Sequence, residues 1–466
     1  MELFEDRPGD DGLRGRERAP AMMALMMATA MVVFDGSAIN IALPQMATSL
    51  RVTPQMAVWF ANGYLLSVAM TLAIFAALSR RLGFRPLFLS GLAVFTLASL
   101  GCSLAPDAPV LVAMRVLQGL GGAAVVSIGP AILRSVFPSR LLGSILGLNA
   151  LLIAASTAIA PIIGGTLLDA WGWRWIFVLN VIPGAAALGL GVGFVRDLQT
   201  PARDPFDAVG GMLSAVLVGA LVLATNRTAQ PGDGGYVVLA ALAGAGFIWR
   251  LYSAEEPLLP PAMFNSVRFS AAALTSMMAF VGQGITFVAL PFLFQRAYGY
   301  SALETALLFM PWPVGIVLVA PHAGRLADRY SPATISTLGL VVLVAALASL
   351  ALLPSGDGVW DIAVRCFFCG AGFGVFQSPN NREMLSNVAR ENSGYASGVL
   401  AIVRTFGQCL GLAIVGIVLN VSAQGGTQAA LLGSVRWSLW IAVAATALAT
   451  VLSLVRVRAA SLAACE

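Results

Sequence analysis

The chain alternates long apolar runs with short polar turns, and that alternation leaves it very few folds. A transmembrane helix needs about 20 consecutive apolar residues, range about 17–25, and every backbone group in a bilayer must be satisfied internally. Windows of that kind fall at 20–43, 57–78, 87–105, 109–133, 143–167, 175–195, 208–225, 236–252, 270–294, 303–325, 333–353, 359–379, 394–420 and 431–455. The expected fold is an all-α polytopic membrane protein with fourteen transmembrane helices. Only 11% of the 466 residues are charged and 58% are hydrophobic, against about 25% and 45–50% in soluble domains. The roughly three soluble domains that length alone suggests are thereby excluded. Arg7, Arg14, Arg16 and Arg18 precede the first run as in a signal peptide. The run continues to Leu43 without a small-residue cleavage site, so a retained first helix is expected.

All 27 basic residues are Arg, and no Lys occurs. A P-loop needs its Lys on the nucleotide phosphates, and pyridoxal-phosphate chemistry needs a Schiff-base Lys; both are excluded. A single His, His322, argues against a His-based triad or a His-rich metal cage. Cys366 and Cys369 form a C-x-x-C inside an apolar helix, with no second pair to complete a metal site. They read as membrane-buried thiols. No metal and no cofactor are expected.

Arginine placement gives the orientation, because positive residues stay in cytoplasmic loops. With the N-terminus inside, nineteen arginines fall on the cytoplasmic side, the last two being Arg456 and Arg458, and five fall outside: Arg51, Arg174, Arg227, Arg296 and Arg436. Arg115, Arg365 and Arg404 remain within spans. Both termini are expected in the cytoplasm of a cell with the protein in its inner or plasma membrane. An internal repeat follows at an offset of about 247–250 residues. Ala42-Leu43-Pro44 recurs as Ala289-Leu290-Pro291, and Leu78-Ser79-Arg80-Arg81 is echoed by Leu326-Ala327-Asp328-Arg329. The glycine-rich stretch that Arg115 opens has its counterpart after Arg365. The organisation is a tail (1–19), a six-helix half (20–195), a linker with two extra helices (196–269), a second six-helix half (270–456) and a tail (457–466). Parallel six-helix halves with a substrate site between them are a transporter architecture.

Ionisable groups at bilayer depth carry the chemistry, since each costs about 2.5–3.5 kcal/mol on insertion scales. Asp35 lies nine residues before Pro44, roughly 13 Å below the outer end of helix one. Arg115 is about six residues into helix four, roughly 9 Å from the same side. Burial and a nearby cation act on a carboxylate in opposite senses. Such a pair can change protonation when access or a ligand changes, as proton coupling requires; a static buried ion pair is the alternative. Arg115, Gln118, Gly119 and Gly122 share one helical face, with two polar heads and two bare backbone patches suited to close helix contact.

Helix five carries Pro161-Ile162-Ile163-Gly164-Gly165, read as a bend at a helix interface or as a purely structural kink. The basic loop Arg80-Arg81-Leu82-Gly83-Phe84-Arg85 either clamps neighbouring helix ends or simply anchors the cytoplasmic side. Phe34, Trp59, Tyr64, Phe280, Gln283, Phe287, Trp312 and Asn380 sit at mid-depth and, with Gln118, are candidates to line a substrate cavity. Aromatic residues in membrane helices also face lipid. Gln283 approximates the counterpart of Asp35 in the second half, because the repeat offset carries Asp35 to Gly282. Arg404 has no evident partner in the sequence.

These stretches resemble the major facilitator superfamily, and within it the fourteen-helix drug:proton antiporter family, over about residues 20–456. Leu111-Val-Ala-Met-Arg115-Val-Leu-Gln118-Gly119-Leu-Gly121-Gly122 matches that family's helix-four motif, which implies a proton-transfer role for Arg115. Asp35-Gly-Ser-Ala-Ile-Asn40-Ile-Ala-Leu-Pro44 resembles the first-helix motif of the fourteen-helix group, implying that Asp35 is a coupling acid. Pro161, Gly164 and Gly165 look like the tail of the antiporter signature, and Trp173-Arg174-Trp175-Ile-Phe-Val-Leu-Asn180 is similar to the segment leading into helix six. The gating-loop motif is assigned by resemblance to Arg81, Gly83 and Arg85, and in the second half to Gly324, Asp328 and Arg329. It departs from the pattern at Ala76, Arg80 and Ser331, and the antiporter signature departs at Ala160.

The expectation is a proton-coupled secondary exporter of amphipathic organic compounds or drugs, cationic ones among them, and not an enzyme. Its partners are a small-molecule substrate, protons and the bilayer, with no nucleic acid; an accessory export protein is left open. The alternative is a proton-coupled symporter importing a nutrient such as a sugar or organic acid. It is disfavoured because the central helices offer few hydroxyl-binding side chains. A membrane receptor or intramembrane enzyme finds no metal motif or nucleophile–base pair.

Overall fold

The computed structural model describes residues 10, 12–196, 207–227, 234–254, 257, 260–353, 358–388, 393–423 and 428–463. Within them the long helices are α1 Gly15–Ser49, α2 Pro54–Leu82, α3 Phe84–Leu104, α4 Ala108–Val136, α5 Leu142–Trp171, α6 Arg174–Phe194, α7 Ala208–Arg227 and α8 Gly234–Ser253, followed by α9 Val267–Phe292. Segments Ala302–Phe309 and Pro311–Leu326 form one span and are together α10. Then come α11 Pro332–Ala351, α12 Val359–Ser386, α13 Ser393–Ala423 and α14 Gln428–Ala463. Thirteen of these are long and apolar enough to cross a membrane among the described residues, and α7 is a shorter apolar helix over Ala208–Ala224. Arg7, Arg203 and Arg390, used in the arginine count, lie outside the described residues.

Local sequence sets the helix ends. Thr53 and Asp107 accept hydrogen bonds from the backbone N–H of Met56 and Val110, and Pro54 occupies the first position of α2, where its missing N–H costs nothing. Ser301 and Glu304 form a reciprocal capping box at the start of α10. Gly83, at φ +88°, closes α2 and opens α3 without a loop, a conformation that favours glycine.

The sequence repeat is a packing repeat. In the first half α4 packs on α2 and α3, α1 on α5 and α6, and α3 on α6. In the second half α12 packs on α10 and α11, α9 on α13 and α14, and α11 on α14. Every pairing recurs eight helices later. Helices α7 and α8 pack on each other, and α7 lies against α2 and α13, which also pack together across the two halves. Buried Asp207 holds the extra pair together through Arg250 at 2.8 Å.

Several helices run past the windows read from the sequence, and at two ends, the start of α1 and the close of α14, a buried arginine lies beyond the window. α1 starts at Gly15, because Arg18 is buried and donates to Leu13 O and Asp10. α14 continues past residue 455, so Arg456 is not a loop arginine. It is fully buried and donates to Asn380 Oδ1 at 2.6 Å and to the hydroxyls of Ser453 and Ser336. Hydrogen-bond acceptors on neighbouring helices substitute for water, which the helix-by-helix charge rule does not anticipate.

Candidate functional site

Five helices of the first half, α1, α2, α3, α4 and α6, contribute to one network around a carboxylate. Asp35, on α1, has no exposed surface, and neither has Arg115 on α4. Arg115 Nη1 donates to Asp35 Oδ2 at 2.5 Å and to Gln118 Oε1 at 2.6 Å, while its Nε donates to Phe60 O on α2 at 2.6 Å. The other carboxylate oxygen accepts from Gln118 Nε2 at 3.0 Å and from Asn180 Nδ2 on α6 at 3.1 Å. Gln118 Nε2 also donates to Ser99 Oγ on α3 at 2.9 Å. The guanidinium lies over the Tyr64 ring at 4.5 Å and near Phe177 at 5.6 Å. An ion pair so enclosed needs its hydrogen-bonding capacity met: both carboxylate oxygens have partners, while Arg115 Nη2 is buried without one.

Glycines make this approach feasible. A Cβ at Gly119 would stand 2.5 Å from Tyr64 O, and one at Gly122 2.8 Å from the Tyr64 hydroxyl. α2 can therefore bring Tyr64 and Phe60 O onto Arg115 only because α4 is bare there.

The two halves are latched at the end of the bundle that carries the α1–α2 turn. Gln295 donates to Ile41 O, and Arg296 donates to Pro44 O and Thr48 Oγ1. The Asp169 carboxylate, at the end of α5, accepts from the N–H groups of Ala302 and Leu303 that open α10. Gly164 and Gly165 pack at the same end, the first against Ala38 of α1 and the second against Ala302 O. Pro161 is inside α5 one turn earlier. Each latch bond contributes about 1 kcal/mol, and 1.4 kcal/mol is tenfold in a population. The double change Asp169→Ala with Arg296→Ala is expected to enrich the form open at this end by at least about tenfold. Spin labels at Trp171 and Leu307 would report it as a longer-distance population.

A stripe on α1 leads inward from the latch. Thr29, Val33, Gly36, Ser37 and Asn40 are half-buried at helical spacing, amid fully buried neighbours. A side chain at Gly36 would meet nothing within 4 Å, and Asn40 Oδ1 has no partner. This stripe, rather than the packed faces, borders open space.

The remaining candidates separate into groups. Gln118 and Tyr64 belong to the Asp35 network. Phe34 and Phe280 are buried in the core that joins the halves, with Phe280 edge-on to Phe373 at 5.3 Å. Phe287 and Trp312 form an α9–α10 aromatic group with Phe309, and the buried Trp312 Nε1 has no partner. Gln283 accepts from Gln408 on α13 at 3.0 Å. Trp59 packs where α2, α7 and α13 meet. Asn380 is placed elsewhere: it binds Arg456 and donates to Ala272 O inside the second half. In the gating motifs Arg81 is exposed, Arg85 donates to Val192 O at 2.8 Å, and Asp328 pairs with Arg382. A side chain at Gly324 would approach Ser378 Oγ at 3.1 Å, and Arg329 is exposed. Ser99, the Asp169 latch and Arg296 were not singled out from sequence as functional. Asn180 appeared only as the end of a motif, although a polar residue inside an apolar run was the signal to follow.

A family model described as Major Facilitator Superfamily matches residues 25–412. The uncharacterized transporter YebQ of Escherichia coli (strain K12) is 37% identical, over 91% of this chain and 94% of its own. The tetracenomycin C resistance and export protein of Streptomyces glaucescens is 32% identical, over 88% of this chain and 77% of its own. Among solved structures, a bacterial homolog of the human lysosomal transporter Spinster, in an inward-facing and unoccupied conformation, superposes with a TM-score of 0.70 at 15% identity. That match covers 97% of this chain and 98% of the other.

Proposed function

Because this chain belongs to the Major Facilitator Superfamily, we propose that it is a proton-coupled secondary exporter. It moves amphipathic organic compounds out across the cell membrane by alternating access, with both termini in the cytoplasm. The observation that carries this reading is the buried Asp35, whose carboxylate is shared by Arg115, Gln118 and Asn180. Acidic groups at such depth are costly and mark ion pathways. The 32% identical relative whose name includes resistance and export supports the direction of transport.

In this orientation the latched end is external, and the open stripe on α1 is reached from the cytoplasm. Substrate enters from inside, the latch releases, and the halves rock about their interface. A proton arriving from outside neutralises Asp35 and frees Arg115 from its counter-charge. The joint between α1, α2 and α4 then rearranges, and the carrier resets as the proton leaves inward. Each charge moved through 100 mV supplies about 2.3 kcal/mol, enough from one proton for a modest substrate gradient. With no P-loop available to a chain without Lys, the ion gradient is the energy source.

Efflux of a panel of amphipathic dyes from cells expressing the protein tests this. Expression should lower dye accumulation, and an uncoupler should restore it. Efflux that persists undiminished with the uncoupler contradicts the reading.

A further inference from the structure

Among the described residues, Arg404 stands at mid-span with neither a counter-charge nor a hydrogen-bond acceptor. Arg404 is near the middle of α13, one turn before Gln408, which reaches Gln283 on α9. On α13, Phe406 and Cys409 pack against α2 and α7, and Gly407 and Gly411 against α9. Arg404 is exposed despite this surrounding contact, and among the described residues it makes no hydrogen bond or ion pair. It interacts electrostatically with Tyr64, the ring that covers Arg115. Such a position faces the space between the halves and not lipid.

The acidic residues account for themselves elsewhere. Asp35 is committed to Arg115, Gln118 and Asn180. Asp10, Glu17, Asp207, Asp328, Asp361 and Glu383 pair with arginines, while Asp107, Asp169 and Glu304 cap helices. Among the described residues, none of the other nine is left for Arg404. The other arginines within spans, Arg115, Arg365 and Arg456, all have acceptors. An exposed guanidinium with no counter-charge is available to an anion, and its planar fork matches a carboxylate in two-point fashion.

We propose that the central cavity takes organic anions, and that Arg404 pairs with the acidic group of the transported compound. The proposal rests on the export reading above and replaces its expectation of cationic substrates. It also constrains coupling. The proton is held at Asp35 and the anion at Arg404, so the two do not compete for one charge. Their exchange passes through the α2–α4 joint at Tyr64, which senses both guanidinium groups.

Three probes on one scaffold test the proposal: pyrenebutyrate, its methyl ester and the matching pyrenebutyl trimethylammonium, titrated against the protein in lipid nanodiscs with empty nanodiscs as blank. The wild type should bind the carboxylate at least tenfold more tightly than the other two. R404Q should lose about that factor for the carboxylate and leave the ester unchanged, while R404K keeps most of the preference. Equal binding of all three probes, tightest binding of the ammonium, or undiminished carboxylate binding by R404Q overturns the proposal. The charge series on the wild type stands even where a variant fails to fold. D35N, assayed beside them, should keep the carboxylate preference. If D35N also keeps transport driven by a pH gradient, the coupling reading falls and the substrate class stands.

Discussion

Arg115→Leu is expected to cost about 3–5 kcal/mol of stability, the loss seen when one partner of a buried ion pair is removed. The change leaves Asp35 without its cation and strips Phe60 O of its donor and Tyr64 of the charge over its ring. Such a loss corresponds to about two to three and a half orders of magnitude in the folded-to-unfolded ratio. Removing both charges, as in Asp35→Leu with Arg115→Leu, should recover most of it, since an apolar pair of similar volume is often neutral or better. Both variants should be inactive in transport. Temperature-dependent loss of the monodisperse peak in detergent would separate them: the single variant collapses well below wild type, and the double variant stays close to it. Equal stability of wild type and Arg115→Leu would mean that the pair contributes little to the fold. The non-additivity is the informative quantity, because the two residues share a hydrogen-bond network.

Asp35 and Arg115 were legible in the sequence because ionisable residues are rare in apolar helices and each needs a reason to be there. Their neighbours were not. Ser99 and Asn180 are neutral, and neutral polar residues enter membrane helices at small cost. Only the packing of α3 and α6 beside α1 and α4 shows that Asn180 donates to the carboxylate and that Ser99 accepts from Gln118. The fold was legible through the repeat, since α4 between α2 and α3 is echoed by α12 between α10 and α11. Helix ends were less so. Arg456 looked like a loop charge because hydropathy averages over a window, whereas its burial depends on Asn380, Ser336 and Ser453 from three helices. That same contact removes Asn380 from the cavity in which mid-depth position had put it. Arg404 was visible as an oddity, but its isolation was not, because a missing counter-charge is a property of the assembled bundle.

The central claim is that Asp35 carries the coupled proton. In Asp35→Asn the side chain keeps its shape and one carbonyl oxygen, which Arg115 can keep, while an NH2 replaces the oxygen that accepted from Gln118 and Asn180. The site loses its negative charge and its ability to take up and release a proton. Alternating access itself does not require that proton, so exchange of substrate for substrate should survive while uphill movement does not. The expected loss in gradient-driven accumulation is complete within detection, more than about a hundredfold, matching removal of the free energy that one proton supplies across a gradient worth about 2.3 kcal/mol per 100 mV and more with a pH difference. Since Asn leaves Arg115 buried with a weaker partner, the variant Asp35→Asn with Arg115→Gln serves as a folded control, expected to show the same loss. The deciding measurement pairs two assays on one preparation of proteoliposomes: accumulation driven by an imposed pH gradient, and counterflow without a gradient. The account predicts that Asp35→Asn retains counterflow and shows no gradient-driven accumulation above empty liposomes. Gradient-driven accumulation equal to wild type would contradict it.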